Sequence, residues 1–272
     1  MGSAVMDKGQ AMSGDAPVLF QHENGVARLT LNRPDAGNTI DLPLARALMD
    51  AAIACDEDDA IRVVVLTGAG KMFCAGGDID GFAVAGEDTG TLFKHLTAPV
   101  HSAVSKLMRM EKPLVTVING PAAGAGLSLA LMGDVVIAAR SAKFAFAYGA
   151  IGLTPDGGAS WFLPRLIGMR RAQELALLNR RLSGEEAAEL GLITRVVDDE
   201  ALAEEADKVV AQLSASATRA MGRTRNLLLS SFTNSLEEQM ELEARAISLS
   251  SRDEGREGVA AFLEKRKPDF TR

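Results

Sequence analysis

The chain has 272 residues, 47% hydrophobic and 24% charged, which is the composition of a globular protein able to bury a large core. Its formal net charge of −7 argues against a nucleic-acid backbone as partner, because phosphate binding needs clustered positive charge. The two cysteines, Cys55 and Cys74, have no disulfide-framework or metal-ligand spacing, and no apolar run reaches the ~18 residues of a membrane helix; we expect a cytoplasmic protein with no metal, nucleic-acid or membrane partner.

Residues 1–16 lack the apolar core of a secretion signal and are interpreted as a disordered or added start that precedes the folded chain. A β-hairpin is predicted next, because Asn24 and Gly25 form a pair that favours a tight turn and lie between two apolar runs. The Leu, Ala and Met spacing of residues 42–55 predicts a helix, and Asp41 is placed to cap it.

Two glycine-rich turns are the most informative features of the sequence. KMFCAGGDID (71–80) follows the β-branched run 62–67, and NGPAAGAGLSLAL (119–131) follows the run 113–118. Such runs are typical of buried strands, and glycine after a strand lets a ligand approach bare N–H groups. Either turn alone is also typical of a tight strand–helix junction. Together they could direct two N–H donors at one oxygen atom, which is how an enzyme stabilises an oxyanion.

The segment between the two turns and the segment after them predict further elements. Residues 81–98 are rich in glycine and threonine and are interpreted as an irregular surface loop or mobile flap. Residues 99–111 are predicted to form a helix. After the second turn, the sequence predicts a buried strand over 135–139, followed by the stretch 143–147. Helices are then predicted over 170–179 and 183–190, and a last strand over 192–197.

The last part of the chain contains only helical patterns, with no strand candidate over residues 200–265. Strands that alternate with helices, followed by a helical tail, predict an α/β body over residues 17–199 and a helical module over residues 200–272. A module this small rarely has a core of its own, so we expect it to dock on the body or on another subunit.

The glycine turns stand among longer motifs that together resemble those of the crotonase (enoyl-CoA hydratase/isomerase) superfamily. The matching stretches occur in the family's order: LTLNRPDAGNTID, KMFCAGGDID, NGPAAGAGLSLALMGDVVIAARSAKFAFA, LTPDGGASWFLPR, LSGEEAAELGLITRVV and REGVAAFLEKRKPDF. They cover roughly residues 18–270, which is far more specific than any single motif. The resemblance implies a crotonase-like α/β spiral of ββα turns with a C-terminal α-helical trimerisation module. It also implies a homotrimer or a dimer of trimers.

The same resemblance implies an acyl-CoA substrate and no separate cofactor, because coenzyme A is part of the substrate. It assigns the thioester oxygen to two backbone N–H groups, those of Gly77 and Ala125. Negative charge develops on that oxygen in an enolate, and the loss of one such donor costs ~10²–10³ in rate. Contacts to coenzyme A are implied for eight further residues: Asp35, Ala36, Gly37, Ala75, Asp78, Ile79, Phe262 and Lys265.

The acid–base residues differ from those of hydratases in the superfamily. Family hydratases use two glutamates, which align here with Ser128 and Tyr148, so standard hydratase chemistry is not expected. One carboxylate remains, that of Asp156 in LTPDGG. By itself Asp156 is as typical of a helix cap as of a catalytic base. The stretch resembles the IPD-x-GGTWLLPR stretch of the epoxyphenylacetyl-CoA isomerases of phenylacetate breakdown, and this resemblance favours a catalytic base.

A single carboxylate can remove a proton from one carbon and return it to another, which is isomerase chemistry. We therefore expect an acyl-CoA isomerase that shifts a double bond or rearranges a ring-epoxide acyl-CoA through a thioester enolate. Asp156 would move the proton while Gly77 and Ala125 hold the enolate. The candidate auxiliary residues are Tyr148, His101 and Ser128.

Two alternatives remain open at this point. In 4-chlorobenzoyl-CoA dehalogenases, an aspartate at the position of Asp156 is a nucleophile that attacks the ring and is then freed by hydrolysis. Those enzymes have a histidine at the position of His101 and a tryptophan at that of Tyr148, but a bulky aromatic residue where this chain has Gly77. The second alternative is a crotonase-like scaffold that binds ligands without turning them over.

Overall fold

The computed structural model describes residues 15–271, so most of the predicted start, residues 1–14, lies outside the described part of the chain. The strands within that part are β1 (Val18–Glu23), β2 (Val26–Leu31), β3 (Val63–Gly68), β4 (Leu114–Ile118), β5 (Ala122–Ala123), β6 (Val135–Ala139), β7 (Lys143–Ala145), β8 (Arg181–Ser183) and β9 (Arg195–Val197). The helices are α1 (Leu42–Glu57), α2 (Ile79–Ala85), α3 (Thr89–Arg109), α4 (Ala125–Leu131), α5 (Ala159–Ile167), α6 (Met169–Leu177), α7 (Gly184–Glu189), α8 (Leu202–Ser214), α9 (Thr218–Ser230), α10 (Leu236–Arg252) and α11 (Glu254–Leu263).

Six strands form the main sheet in the order β1-β2-β3-β4-β6-β9, and every neighbouring pair is parallel except β1 and β2. These two form the predicted hairpin, and its turn residues Asn24 and Gly25 have the positive φ values, 50° and 77°, that suit a tight turn between twisted strands. The predicted helix cap is confirmed as well, because the Asp41 side chain accepts a hydrogen bond of 2.8 Å from the Leu44 N–H at the start of α1.

A second layer of short strands lies beside the main sheet. β5 pairs with β7 and β7 with β8, and single bridges join Cys74 to Ala122 and Ile40 to Gly77. The chain therefore repeats one pattern: a long strand, a short stretch in the second layer, and a helix. β4, β5 and α4 form one such turn, and β6, β7 and α5 form the next. The prediction of a spiral of ββα turns is confirmed.

Both faces of the main sheet are covered, which explains why its strands are apolar throughout. Alternate residues of β3 point to opposite sides: Val64 and Leu66 belong to the large core that also contains buried side chains of α1 and α3. Val63 and Val65 belong to a smaller core on the other face, which is closed by buried side chains of α8: Leu202, Ala206, Val209 and Val210.

The predicted loop over residues 81–98 is wrong, because this segment is helical. α2 ends at Ala85, Gly86 has a φ of 51°, and α3 then runs for 21 residues from Thr89. Leu96, Val100, Ala103 and Leu107 are buried on one face of α3. Their spacing of three and four residues is typical of a helix. The loop was predicted because the glycine and threonine content of the segment was given more weight than this spacing.

The helical module docks on the body through α8, as described above, and also through α9. The Arg225 guanidinium donates a hydrogen bond of 2.7 Å to the Asp134 carboxylate and a second one to the Met110 carbonyl. Beside it, a Cβ atom at Gly222 would lie 2.4 Å from the Glu111 Cα, so the helix and the body meet backbone to backbone. The exact limits of the body and the module remain a prediction.

We expect Gly222→Ala to lower the free energy of unfolding by about 1–3 kcal/mol, because the added methyl group forces α9 away from Glu111. The matched control is Gly90→Ala in α3, where a Cβ would meet no atom within 4 Å. That change is expected to stabilise the protein by about 0.5–1 kcal/mol through helix propensity. Urea denaturation of both variants measures the two effects, and equal midpoints would contradict the backbone contact.

Candidate active site

A cavity of about 620 Å³ lies where the two glycine turns meet α3 and the segment between β7 and α5. Four structural units form its wall: residues 75–77 of the first turn, residues 124 and 125 of the second, one face of α2 and α3, and residues 147–156. Most of the lining is apolar. A cavity of this size, with a few polar groups converging on it, has the features of a small-molecule site.

The two glycine turns pack against each other through their backbones. Gly76 has a φ of 104°, and a Cβ there would lie 2.9 Å from the Ala123 carbonyl oxygen. On the opposite turn, a Cβ at Gly126 would lie 2.2 Å from the Cys74 carbonyl oxygen. Any side chain at either position would push the turns apart. The glycines are therefore needed to bring the two turns into contact.

Each turn has backbone N–H groups in the cavity lining that are without an acceptor among the described residues. The Asp78 N–H donates to the Ile40 carbonyl at 3.2 Å, and the Gly124 N–H donates to the Ala145 carbonyl at 3.1 Å. Within residues 15–271, by contrast, the N–H groups of Gly77 and Ala125 donate to no protein group, and both residues line the cavity. Two free donors on one wall of a largely apolar cavity are suited to hold an oxygen that acquires negative charge.

Asp156 lies on the same cavity and is held by three neighbours. The Tyr148 hydroxyl donates a hydrogen bond of 2.6 Å to its Oδ1 atom, and the Ser128 hydroxyl donates one of 2.9 Å to its backbone carbonyl. The next N–H, that of Gly157, donates to Nε2 of His101 at 3.1 Å. The structure thus brings Gly77, Ala125, Asp156 and all three candidate auxiliary residues to one place: Tyr148, His101 and Ser128.

The helix-cap interpretation of Asp156 does not fit the structure. α5 begins after Gly158, and no side chain caps its first turn. The Asp156 carboxylate instead accepts the phenol hydrogen bond inside the cavity. Burial and the neighbouring Asp156 charge raise the pKa of Tyr148 well above its usual range. Tyr148 therefore remains a neutral donor across the working pH range.

The predicted coenzyme A residues fall into three groups. Ala75 and Ile79 line the cavity. The short helical turn that carries Asp35, Ala36 and Gly37 packs beside them, since a Cβ at Gly37 would lie 3.4 Å from that of Ala75. The structure thus places Gly37 beside Ala75, and the contact of these five positions with coenzyme A stays a prediction.

The remaining three lie elsewhere. Asp78 caps α2, where its Oδ1 accepts from the Gly81 N–H at 3.5 Å. Phe262 lies on α11, 83% exposed, and Lys265 follows that helix. Neither Phe262 nor Lys265 lines the cavity in the described chain. Their contact with coenzyme A stays a prediction.

Because residues 81–98 were interpreted as a loop, the sequence did not predict that the helices α2 and α3 form one wall of the cavity. Phe82 and Phe93 pack with ring centroids 4.6 Å apart and line the cavity together with Leu96 and Val100. The edge of the Phe82 ring lies 2.5 Å from where a Cβ of Gly77 would be, so the ring fills the space that a side chain at Gly77 would take. The helical spacing of these residues was the available signal.

The described part of the chain offers no residues for a metal site or for a cysteine nucleophile. No three His, Cys, Asp or Glu side chains are grouped as a metal site requires, and no described helix is long and apolar enough to cross a membrane. Cys55 and Cys74 are free and buried, and burial raises the pKa of each thiol to about 12. Neither thiol is thus ionised enough to act as a nucleophile at neutral pH.

The fold and the cavity define an α/β protein of the ββα-spiral class, in which two free backbone donors and one carboxylate line the same cavity. The enoyl-CoA hydratase/isomerase family model matches residues 21–272. The chain is 43% identical to the 1,2-epoxyphenylacetyl-CoA isomerase of Escherichia coli, over 93% of this chain and 98% of that protein. It is 31% identical to 4-chlorobenzoyl coenzyme A dehalogenase-2 of Arthrobacter, over 88% of this chain and 87% of that one.

Among solved structures, that of an enoyl-CoA hydratase from Polaromonas superposes with a TM-score of 0.87 at 32% identity, over 93% of this chain and 98% of that chain. The chain belongs to the enoyl-CoA hydratase/isomerase, or crotonase, family. It is a crotonase-family acyl-CoA enzyme. Its relatives carry the names of isomerases, hydratases and dehalogenases, so the reaction has to be argued from the residues of the cavity.

Proposed function

We propose that this protein is an acyl-CoA isomerase that moves a double bond, or rearranges a ring-epoxide acyl-CoA, through a thioester enolate. One observation carries the proposal: among the described residues that line the cavity, Asp156 is the sole carboxylate. An isomerase needs one group that removes a proton and returns it elsewhere, whereas hydration needs a further group to activate water. The E. coli relative named as an isomerase supports the same choice.

The proposed reaction uses the two backbone donors and the one carboxylate of the cavity. The thioester oxygen accepts hydrogen bonds from the Gly77 and Ala125 N–H groups, which makes the neighbouring C–H bond more acidic. Asp156 takes the proton as that C–H bond breaks, and the electron pair moves onto the thioester oxygen. The enolate then collapses as the same carboxyl group returns the proton to another carbon. The net change is a shifted double bond, with no cofactor and no water consumed.

Hydratases have glutamates at two positions where this chain has Ser128 and Tyr148, and these two residues do not support hydratase chemistry. The Ser128 hydroxyl is directed at the Asp156 carbonyl, and the Tyr148 phenol is directed at the Asp156 carboxylate. Neither side chain is free to activate water as a base, because the pKa of Tyr148 is raised by burial and the serine hydroxyl is a weak base.

A dehalogenase-like hydrolase is the second candidate, because Asp156, His101 and Tyr148 do meet in one cavity as that alternative requires. The Arthrobacter relative carries the corresponding name. The contacts of His101 favour the isomerase, however. Its Nε2 atom accepts the Gly157 N–H at 3.1 Å, so that atom is not available to take a proton from water.

Assembly and location are part of the proposal. Leu236, Met240 and Ile247 are exposed apolar side chains along α10, at a spacing that places them on one helix face. This face suits the trimer contact expected from the family resemblance, with a dimer of trimers as the larger form. Free, buried cysteines are consistent with a reducing cytoplasm.

The deciding experiment offers the purified protein 3-enoyl-CoA, 2-enoyl-CoA and 4-chlorobenzoyl-CoA, and follows thioester absorbance and chloride release. We expect conversion of 3-enoyl-CoA to 2-enoyl-CoA without hydration of the product. Chloride release would instead assign Asp156 as a nucleophile. Hydration of 2-enoyl-CoA would contradict the proposal that a single carboxylate does the chemistry. If none of these substrates is turned over, and a ring-epoxide acyl-CoA is not turned over either, the protein is a binding scaffold.

A further inference from the structure

Tyr148 lies between β7 and α5, and both its ring and its backbone are held in place by neighbouring residues. Its ring is buried and packs edge-on against Phe146, with centroids 5.1 Å apart. Its N–H donates to the Phe146 carbonyl at 2.9 Å, and its carbonyl accepts from the Leu153 N–H at 3.0 Å. The preceding Ala147 has a φ of 62°, a left-handed conformation that is costly for a residue with a side chain. The backbone here is strained, and the result is one defined position of the phenol.

The phenol is directed at one oxygen of the carboxylate. Its hydroxyl lies 2.6 Å from Oδ1 of Asp156, which is the short distance typical of a hydrogen bond to a charged acceptor. An ionised carboxylate only accepts hydrogen bonds, so Tyr148 must be the donor. Because the Tyr148 pKa is raised by burial and by Asp156, the phenol keeps its proton. Oδ1 therefore already accepts one strong hydrogen bond, whereas Oδ2 accepts none from the described residues, which makes Oδ2 the freer oxygen for substrate.

We infer that Tyr148 is a positioning residue that fixes the orientation of the Asp156 carboxylate through Oδ1, so that Oδ2 takes up and returns the substrate proton. The inference rests on the proposed isomerase function. In the first step the substrate C–H bond breaks and an Oδ2–H bond forms; in the second the Oδ2–H bond breaks and a new C–H bond forms. The phenol proton stays on Tyr148 throughout.

The titratable groups around Asp156 come from three elements. Tyr148 approaches from the segment after β7, His101 from α3, and Cys74 from the first glycine turn. The pKa of Cys74 is raised to about 12, so its thiol stays neutral. His101 accepts a hydrogen bond from the backbone. Of the three, only the phenol donates to the carboxylate, so its removal should act on the protonation of that group.

The test is Tyr148→Phe, which removes the hydroxyl and keeps the ring. We expect kcat for 3-enoyl-CoA isomerisation to fall about 10- to 100-fold while KM stays within about twofold. The acidic limb of the kcat/KM profile should move to higher pH by about one unit, because the ionised form has lost a charge-assisted hydrogen bond. The control is Phe146→Leu, which loosens the ring but keeps the hydroxyl, and should leave the acidic limb in place.

A second measurement uses the fact that Tyr148 is the single tyrosine of the sequence. Growth with 3-fluorotyrosine therefore labels this phenol alone and makes it a stronger donor without changing its shape. We expect the acidic limb to move to lower pH, opposite to Tyr148→Phe. The ¹⁹F resonance should also titrate with the same midpoint as the activity. This readout stays available if Tyr148→Phe fails to fold.

The outcomes distinguish a failure of the proposed function from a failure of the inference about Tyr148. If Asp156→Asn retains isomerase activity, the proposed function fails. If Asp156→Asn is inactive but Tyr148→Phe keeps kcat within twofold and an unmoved acidic limb, the inference about Tyr148 fails and the isomerase stands. Equal shifts in Tyr148→Phe and Phe146→Leu would show a merely structural role and would also overturn the inference.

Discussion

Replacement of Asp156 by asparagine is expected to lower kcat for acyl-CoA isomerisation by about 10²–10⁴-fold, because the change removes the group that carries the proton. Asparagine has the same shape, and its side-chain oxygen can still accept the Tyr148 hydroxyl that now lies 2.6 Å from Oδ1. The fold and the binding of acyl-CoA should therefore survive. Steady-state kinetics with 3-enoyl-CoA and the urea midpoint measure the two properties separately.

The matched control for this variant is Asp80→Asn. Asp80 is an exposed carboxylate in the first turn of α2, close to the cavity in the chain but not part of its lining. The same chemical change there should leave kcat within about twofold, as expected for a surface site. If Asp80→Asn and Asp156→Asn lost activity equally, the loss of one negative charge near the cavity would explain both results. The assignment of Asp156 as the base would then be wrong.

The second large effect is expected from Ala125→Pro, which deletes one free N–H group of the cavity wall. Ala125 is the first residue of α4, the helix position at which proline fits best, and Gly124 before it adapts to proline more easily than other residues would. Loss of one donor to the thioester oxygen should lower kcat by about 10²–10³-fold. Ground-state binding of acyl-CoA should change much less, since the charge develops in the transition state.

Ala125→Gly is the control for this variant, because it alters the side chain and keeps the N–H group. We expect it to retain kcat within about threefold, the modest effect of one added glycine at a helix start. Calorimetry of acyl-CoA binding to both variants then separates binding from catalysis. Wild-type kcat in a folded Ala125→Pro would show that the Ala125 N–H does not face the reacting oxygen.

The sequence predicted the parts of the site that depend on local chemistry. A strand followed by clustered glycines marks a turn that only small residues can make, so the turns at Gly76 and Gly126 were recognised without a structure. Their meeting could not be derived from either turn alone. It depends on the pairing of β3 with β4, which sets the two turns side by side, and here the family resemblance supplied what local reasoning lacked.

The sequence failed where composition and periodicity disagreed. Glycine and threonine in residues 81–98 indicated a loop, yet Phe93, Leu96 and Val100 recur at helical spacing and place one face of α3 against the cavity. The hydrogen bond between Tyr148 and Asp156 could not be predicted from the sequence, for another reason. It depends on the left-handed conformation of Ala147, which tertiary contacts impose and which no preference of alanine predicts.

The backbone contact between the two turns divides the cavity into parts with very different freedom to change. The proposed oxyanion donors, the N–H groups of Gly77 and Ala125, are main-chain atoms in turns that pack backbone to backbone, so most side-chain substitutions should leave them where they are. The wall formed by α2 and α3 consists instead of side chains, whose size a substitution changes directly. We therefore expect substitutions of residues such as Phe82 and Phe93 to change which acyl groups fit the cavity, while the backbone N–H donors stay in place.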